Sequence, residues 1–319
     1  MKEVAVGIDI GGTYTKYGLV DSKGNCHFSE SIDTRKHPEI DDFVDTLQQV
    51  IGEMVSKHDQ SVELRGIGIG APNGNFYKGT IEFAPNLSWK GVIPLVDLFK
   101  KRYDLPVFLT NDANAAAIGE KMYGGAKSMN DFIVITLGTG LGSGIVCNGK
   151  LVYGHDGFAG ELGHLTIIPG GRMCASGLRG ALETYVSASG IVRTVFELLS
   201  DSLENSIFRD VSFNKLSARM ISEAALKGDP IAKEAFEVTG MHLGRALANT
   251  VHHTSPEAIF LLGGLANAGL LIIEPTVRHM EQNLLPIYRN KVKILPSGLT
   301  EANAAVLGAS ALVWKELNR

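Results

Sequence analysis

The chain has 319 residues, about twice the ~150 of a typical domain, so two domains with ample cores are expected and a peptide-sized scaffold is excluded. With 45% hydrophobic and 20% charged residues, the composition is that of an ordinary folded protein and excludes intrinsic disorder and coiled coil. A formal net charge of −4 leaves no electrostatic footprint for nucleic acid or an anionic membrane, so the expected partners are small molecules or protein.

The opening stretch MKEVAVGIDIGGT has one Lys, an immediate Glu and no small-residue cleavage site, so it reads as structure rather than a secretory leader. Val4, Val6, Ile8 and Ile10, with Ala5 and Gly7 between them, predict a central strand that ends in Asp9-Ile10-Gly11-Gly12-Thr13. A second strand is expected over 17–20, closed by a hairpin-type turn at 21–25. Phe43, Leu47, Val50, Ile51, Met54 and Val55 recur at helical spacing and predict a helix over 41–58. Short buried strands are expected at 66–71, stopping at Pro72, and at 107–109. Asn111-Asp112 then opens an alanine-rich helix that ends at Gly124-Gly125, its small side chains permitting close helix approach.

Residues 131–137 (DFIVITL) form a second uniformly apolar strand, followed by a glycine turn over 138–144 and a returning strand over 145–147 with Asn148-Gly149 as its hairpin turn. Segments 3–20 and 131–146 share one plan: apolar strand, threonine among glycines, returning strand. That self-similarity predicts an internally duplicated fold whose halves face each other. A third apolar strand, 259–262, ends at Gly263-Gly264 and follows a long helix opening at Asp229-Pro230, with Pro at the first helical position. The apolar run 259–273 is shorter than the ~18–20 residues that span a bilayer. The chain closes with a helix over 301–317. Cys26, Cys147 and Cys174 are odd in number and lack a CxxC, which suits a reducing cytoplasm.

The 37 glycines compare with about 22 at the ~7% of average usage, and they gather at turns. Three glycine turns at strand ends are what a triphosphate requires, because main-chain N–H groups reach phosphate oxygens only where no Cβ intervenes. Thr13 and Thr139 can add hydroxyl donors. Asp9 is either a turn-stabilising residue or the group that holds Mg2+ through water. Two competing nucleotide signatures fail: residues 144–151 match a P-loop until Leu151 replaces the hydroxyl that meets Mg2+, and Gly66-x-Gly68-x-x-Ala71 runs into Pro72 where a phosphate-binding helix should continue. Asp112, at a strand end and helix start, is either a helix cap or the acceptor of a proton from an attacking hydroxyl. Glu161, His164 and Glu183 place two carboxylates and an imidazole in one glycine-rich stretch, either the chemistry that recognises a polyol or scattered surface carboxylates beside a satisfied His. His242, His252 and His253 show no partner pattern and are expected to be structural.

In order, Asp9-Ile10-Gly11-Gly12-Thr13, Pro85-Asn86-Leu87-x-Trp89, Asn111-Asp112, Leu137-Gly138-Thr139-Gly140-Leu141-Gly142, Glu161-x-Gly163-His164, Glu183 and Leu262-Gly263-Gly264 resemble the sugar kinases of the ROK family (repressor, open reading frame, kinase) within the actin/hexokinase superfamily. The resemblance implies an α/β protein of two RNase-H-like domains, 1–115 plus 300–319 and 116–299, with an interdomain cleft. It implies ATP-dependent phosphorylation of a hexose at the 6-hydroxyl, with Asp112 as base, ATP and Mg2+ bound, and a cytoplasmic homodimer. Asn86, Asn111, Glu161, His164 and Glu183 fall at its sugar-binding positions; Asp9, Gly11, Gly12, Thr13, Gly138, Thr139, Gly140, Gly142, Gly263 and Gly264 fall at its ATP-binding positions. The alternatives are a sugar-sensing regulator, for which a first strand at residue 4 leaves no room ahead for a DNA-binding domain, and a non-catalytic sugar-binding protein. The family's structural zinc uses a His and three cysteines; here His164 and Cys174 remain while Ser176 and Ala181 fill the other positions, so no zinc is expected.

Overall fold

The computed structural model describes residues 2–57, 62–299 and 303–318. His58 and Glu301, expected ends of two helices, lie outside the described residues. The chain separates into two compact units, Met1–Met129 with Lys150–Gly160 and Ser297–Arg319, and Asn130–Gly149 with Glu161–Pro296.

The first unit is built on β1 (Lys2–Ile10), β2 (Tyr14–Asp21), β3 (Cys26–Asp33) and β4 (Val62–Ala71). After a small sheet of β5 (Gly74–Asn75), β6 (Thr80–Glu82) and β7 (Val92–Ile93) comes β8 (Val107–Asn111). The main sheet runs β3-β2-β1-β4-β8. β1 pairs antiparallel with β2 and parallel with β4, which buries its apolar run on both faces. β3 was not expected from sequence: Cys26, Phe28 and Ile32 alternate with polar residues, but Glu30 breaks the pattern and no residue is fully buried, as befits a sheet edge.

Helices α1 (Ile40–Lys57), α2 (Leu95–Lys100) and α3 (Asp112–Met122) belong to this unit, as does the C-terminal helix α8 (Ala304–Leu317). α8 lies directly on the sheet: a Cβ on Gly68 of β4 would stand 2.0 Å from the Ala309 carbonyl oxygen. α3 runs through residue 115, where one domain was expected to end, and remains in the first unit by crossing α8 closely. A Cβ on Gly119 would lie 2.8 Å from the Gly308 Cα. Gly68→Ala is therefore expected to lower stability by about 3 kcal/mol, since neither backbone can retreat from the added methyl; urea unfolding of the purified variant measures it.

In the second unit, β9 (Phe132–Leu137) and β10 (Leu141–Cys147) form an antiparallel pair, and the Asn148-Gly149 turn leads to β11 (Lys150–Leu151) in the first unit's chain segment. Both turn residues have positive φ, 51° and 72°, the primed hairpin geometry that excludes a P-loop reading. α4 (Ala188–Asp201), α5 (Ala218–Leu226) and α6 (Pro230–Thr254) precede β12 (Ala258–Leu262), α7 (Leu270–Asn283) and β13 (Lys293–Pro296). β12 lies parallel to both β9 and β13. The order β10-β9-β12-β13 thus repeats β2-β1-β4-β8, each an antiparallel pair extended by parallel strands, and the expected duplication is present in the topology.

The returning strand starts earlier than expected. β10 opens at Leu141, so the glycine turn contracts to 138–140 and Gly142 lies inside the strand, paired with Thr136. The apolar run 259–273 divides between β12 and α7, and no helix among the described residues is long and apolar enough to cross a membrane.

Candidate active site

The first unit gathers one cluster at the ends of β1, β4 and β8. β1 ends at Ile10, and the Gly11 N–H donates to the Tyr14 carbonyl at 3.0 Å, closing a tight turn. A Cβ on Gly12 would stand 2.5 Å from the Asn86 carbonyl oxygen, so glycine is needed for this turn to reach the 85–89 loop. Leu87 and Trp89 are buried and the Trp89 Nε1–H donates to the His37 carbonyl at 3.0 Å, which anchors the loop and leaves Asn86 exposed. The N–H groups of Gly12 and Thr13 donate to nothing among the described residues.

β8 ends at Asn111, whose Oδ1 accepts the Ala113 N–H at 2.9 Å and caps α3. Asn111 therefore spends its oxygen on the helix, leaving its NH2 as the group free to meet a ligand. Asp112, the first residue of α3, accepts the same N–H at 2.8 Å and keeps its side chain open to solvent. Asp9 and Asp112 flank Gly70 of β4: the place a Gly70 Cβ would occupy is 3.7 Å from Asp9 Oδ1 and 3.5 Å from the Asp112 Cα. With no side chain between them, the two acids share one corner. Burial, reinforced by the charge of Asp112 and opposed by Lys16, pushes Asp9 up to about 7. Asp112 is pushed up by the protein packed around it, against the pull of the Ala113 amide, and its open side chain tempers the effect.

The second unit gathers the other cluster. Within the 138–140 turn, the Gly138 carbonyl accepts the Ala188 N–H at 2.8 Å and the Thr139 carbonyl accepts the Ser189 hydroxyl at 2.9 Å. The start of α4 thus holds the carbonyls, while the Thr139 and Gly140 N–H groups donate to nothing among the described residues. The Leu265 N–H donates to the Leu137 carbonyl at 3.2 Å, setting the 263–264 turn against the end of β9. Among the described residues, no heavy atom beyond the glycine and its chain neighbours lies within 4 Å of where a Cβ on Gly138 or Gly264 would stand. Packing within the chain does not require glycine at these two positions; close approach of a ligand would.

Glu183 joins this cluster, since a Cβ on Gly140 would lie 2.6 Å from its Oε2. Glu161 Oε2 and His164 Nε2 are 3.9 Å apart in an exposed pair, and Gly163 between them packs against the Leu141 carbonyl. Gly142 is not at the turn, because β10 has absorbed it. His242 packs on the Tyr185 ring at 4.9 Å, and burial, with Arg172 and Arg245 nearby, lowers its pKa to about 4. The His252 ring accepts the Leu285 N–H at 3.2 Å. Both have structural partners.

His164, Cys174 and Glu183 each offer one donor atom, all within 4.8 Å of one another. The sequence count of two metal ligands missed Glu183. A structural zinc still needs a closed shell of four, and the two remaining family positions are a Ser176 hydroxyl, 2.9 Å from the Cys174 sulfur, and the methyl of a fully buried Ala181. These residues do not fit a structural zinc. Sequence reasoning also missed Arg172, a buried guanidinium within the 164–183 stretch that no local pattern announces.

A family model described as the ROK family matches residues 5–316. The chain is 34% identical over 317 residues to a glucokinase of Halalkalibacterium halodurans, covering 98% of this chain and 96% of that one. It is 31% identical over 315 residues to a xylose repressor of Caldicellulosiruptor bescii, covering 98% of this chain and 78% of the repressor. Among solved structures it is similar to a ROK family glucokinase from Streptomyces griseus in complex with glucose and AMPPNP, at 33% identity and a TM-score of 0.83, covering 98% of this chain and 99% of that one.

Proposed function

The chain belongs to the ROK family, and from that premise we propose that it is an ATP-dependent hexose kinase of glucokinase type, transferring the terminal phosphoryl group to a sugar 6-hydroxyl, with glucose the foremost substrate and mannose or N-acetylglucosamine next. The observation that carries the reading is that each unit has a glycine turn with two N–H groups that donate to nothing among the described residues, Gly12 and Thr13 in the first and Thr139 and Gly140 in the second, and that the first unit also brings Asp9 and Asp112 to one corner.

The turn amides receive phosphate oxygens, and the bare faces of Gly138 and Gly264 let the nucleotide approach the backbone. Gly138→Ala is accordingly expected to fold with an unchanged melting temperature and to raise the KM for ATP by at least tenfold, which steady-state kinetics beside calorimetry would show. Asn86, Asn111, Glu161, His164 and Glu183 take the sugar hydroxyls. Their amides, carboxylates and imidazole alternate donor and acceptor character, as a polyol requires.

Asp112 orients the 6-hydroxyl. An alcohol with a pKa near that of water, ~15.7, lies roughly 12 units above an ordinary Asp at ~3.9, a gap of about 16 kcal/mol, so the carboxylate does not ionise it beforehand. It takes the proton late, as the new oxygen–phosphorus bond forms and the bond to the leaving ADP oxygen breaks in a loose transition state. The raised pKa of Asp112 narrows that gap and helps it hold the proton. Asp9, an acid pushed up by burial and its acidic neighbour, suits a cation and would hold Mg2+ through water. When bound, that ion supplies charge neutralisation at the phosphates. The three free cysteines suit a cytoplasmic setting, and we propose a homodimer there.

Coupled ADP release with glucose, mannose and N-acetylglucosamine tests the reading: sugar-dependent turnover by the wild type is expected, and its absence with every sugar would defeat it. The similarity to xylose repressors supports a second reading as a sugar-responsive regulator; sugar binding without any turnover would favour it.

A further inference from the structure

The segment 164–183 carries His164 at one end and Glu183 at the other, and it lacks the ligands for a structural zinc. Its other fastenings include isolated bridges that pair Thr166 with Ala181 and Met173 with Arg179, the Leu182 N–H donating to the Leu165 carbonyl, the Ile167 N–H donating to the Gly180 carbonyl at 2.9 Å, Ile167 and Ile168 packed on the core, and one bond from α4, Arg193 Nη1 donating to the Met173 carbonyl at 3.0 Å. Through its middle passes Arg172, 8% exposed.

All five N–H donors of that guanidinium are used. Nε donates to Glu197 Oε1 at 2.8 Å and Nη2 to Glu197 Oε2, a bidentate pair; Nη2 also donates to Thr194 Oγ1 at 3.0 Å. Nη1 donates to the Thr184 carbonyl at 2.8 Å and the Gly190 carbonyl at 3.1 Å. The group stacks on the Tyr185 ring, 4.4 Å from its centroid. The Arg172 backbone is tied down as well, its N–H donating to Tyr185 Oη at 3.0 Å and its carbonyl accepting the Gly180 N–H at 2.8 Å. A buried charge so completely paired is a fixed node, because freeing any partner would strand it in a poorly solvating interior.

We infer that Arg172 does the work of the missing metal: it is a positioning residue that fastens the 164–183 segment to α4 and so holds Glu183 and His164 in place for the sugar. The geometry suits a guanidinium specifically. Its planar fork reaches the carbonyl beside Glu183, two acceptors on α4 and a carboxylate at once, as a single point charge on a flexible stem does not. α4 keeps its own cap, the Ser187 hydroxyl accepting the Gly190 N–H at 2.9 Å, so the phosphate turn resting on its start is not made dependent on Arg172.

The inference rests on the reading that Glu183 and His164 bind sugar, and its test therefore has a readout that needs no catalysis. Amide hydrogen exchange over residues 165–182 is measured without substrates in the wild type, Arg172→Lys and Glu197→Gln, beside KM values for glucose and ATP. Arg172→Lys is expected to speed that exchange at least tenfold and to raise the glucose KM at least tenfold with the ATP KM within twofold, while Glu197→Gln, changed at a largely exposed carboxylate, gives a smaller shift in the same direction. A third protein returns the metal: Arg172→Met with Ser176→Cys and Ala181→Cys, loaded with zinc, is expected to recover slow exchange and a glucose KM within threefold of wild type. Wild-type exchange and wild-type glucose KM in Arg172→Lys would overturn the inference, as would stoichiometric zinc in the wild type, or persistently fast exchange in the zinc-loaded triple variant. Failure of the kinase reading would appear separately, as absent sugar turnover in the wild type.

Discussion

Asp112→Asn is expected to lower kcat about 1,000-fold, while the KM for glucose stays within about threefold. Asparagine is nearly isosteric and can still hydrogen-bond the sugar hydroxyl, but it cannot accept the proton released as the phosphoryl group arrives. General-base catalysis contributes typically 10²–10⁴-fold, and a 1,000-fold loss corresponds to about 4 kcal/mol in the barrier. The position of Asp112 at the start of α3 supplies the competing explanation, since a carboxylate there stabilises the helix whether or not it reacts. The two are separable. A helix-stabilising Asp would cost about 1 kcal/mol of stability when replaced and leave turnover intact. In the structure the capping is done chiefly by Asn111, whose Oδ1 already accepts the Ala113 N–H, so Asp112→Asn should leave the melting temperature nearly unchanged while activity collapses. Steady-state kinetics and calorimetry on one preparation decide between them.

Asp9→Asn is expected to lower activity at least 100-fold and, at the same time, to make the protein more stable at pH 8. The sign follows from the direction of the shift. Asp9 is raised from the ordinary carboxylate value to about 7, so the folded protein prefers it protonated. The stability that goes with this preference is fully present below about pH 4, declines as pH rises, and is lost by about pH 7, above which the folded state carries a poorly solvated negative charge beside Asp112. Raising the carboxyl from its ordinary value to about 7 corresponds to at most about 4 kcal/mol, and the partial exposure of Asp9 reduces the expected gain for Asp9→Asn to about 1–2 kcal/mol at pH 8. The gain should shrink steadily between pH 7 and pH 4. An active site that stores unfavourable charge until a cation arrives would behave this way, exchanging stability for function. Melting temperatures across that range, with kcat/KM for ATP falling below about pH 7 in the wild type, provide the check.

The features legible in the sequence were those with a strong local signature. β1, β9 and β12 announce themselves because central strands buried on both faces need uninterrupted apolar residues, and the glycines that follow them mark turns where the backbone must be bare. Asn111-Asp112 reads as a strand end and helix start for the same local reason. β3 was illegible because the alternation of Cys26, Phe28 and Ile32 is short and broken by Glu30, as an edge strand with no fully buried residue tolerates. Gly142 was placed in a turn because glycine signals turns, whereas pairing with Thr136 drew it into β10; a long-range partner overrode the local preference. The closeness of Glu183 to Gly140, and of Cys174 to both His164 and Glu183, depends on how distant segments return to one place, which spacing along the chain does not encode. Arg172 was missed for a related reason. Its five partners lie on residues 184 to 197, and a single arginine between glycine and methionine carries no sign that a helix downstream will receive it.

Carbon-13 and phosphorus-31 NMR of the wild-type protein with ATP, Mg2+ and carbon-13-labelled glucose test the central claim most directly. The account predicts a sugar phosphate ester whose phosphorus couples to C6, accumulating with ADP in equal amounts; unchanged glucose, or ATP consumed only to inorganic phosphate, would contradict it.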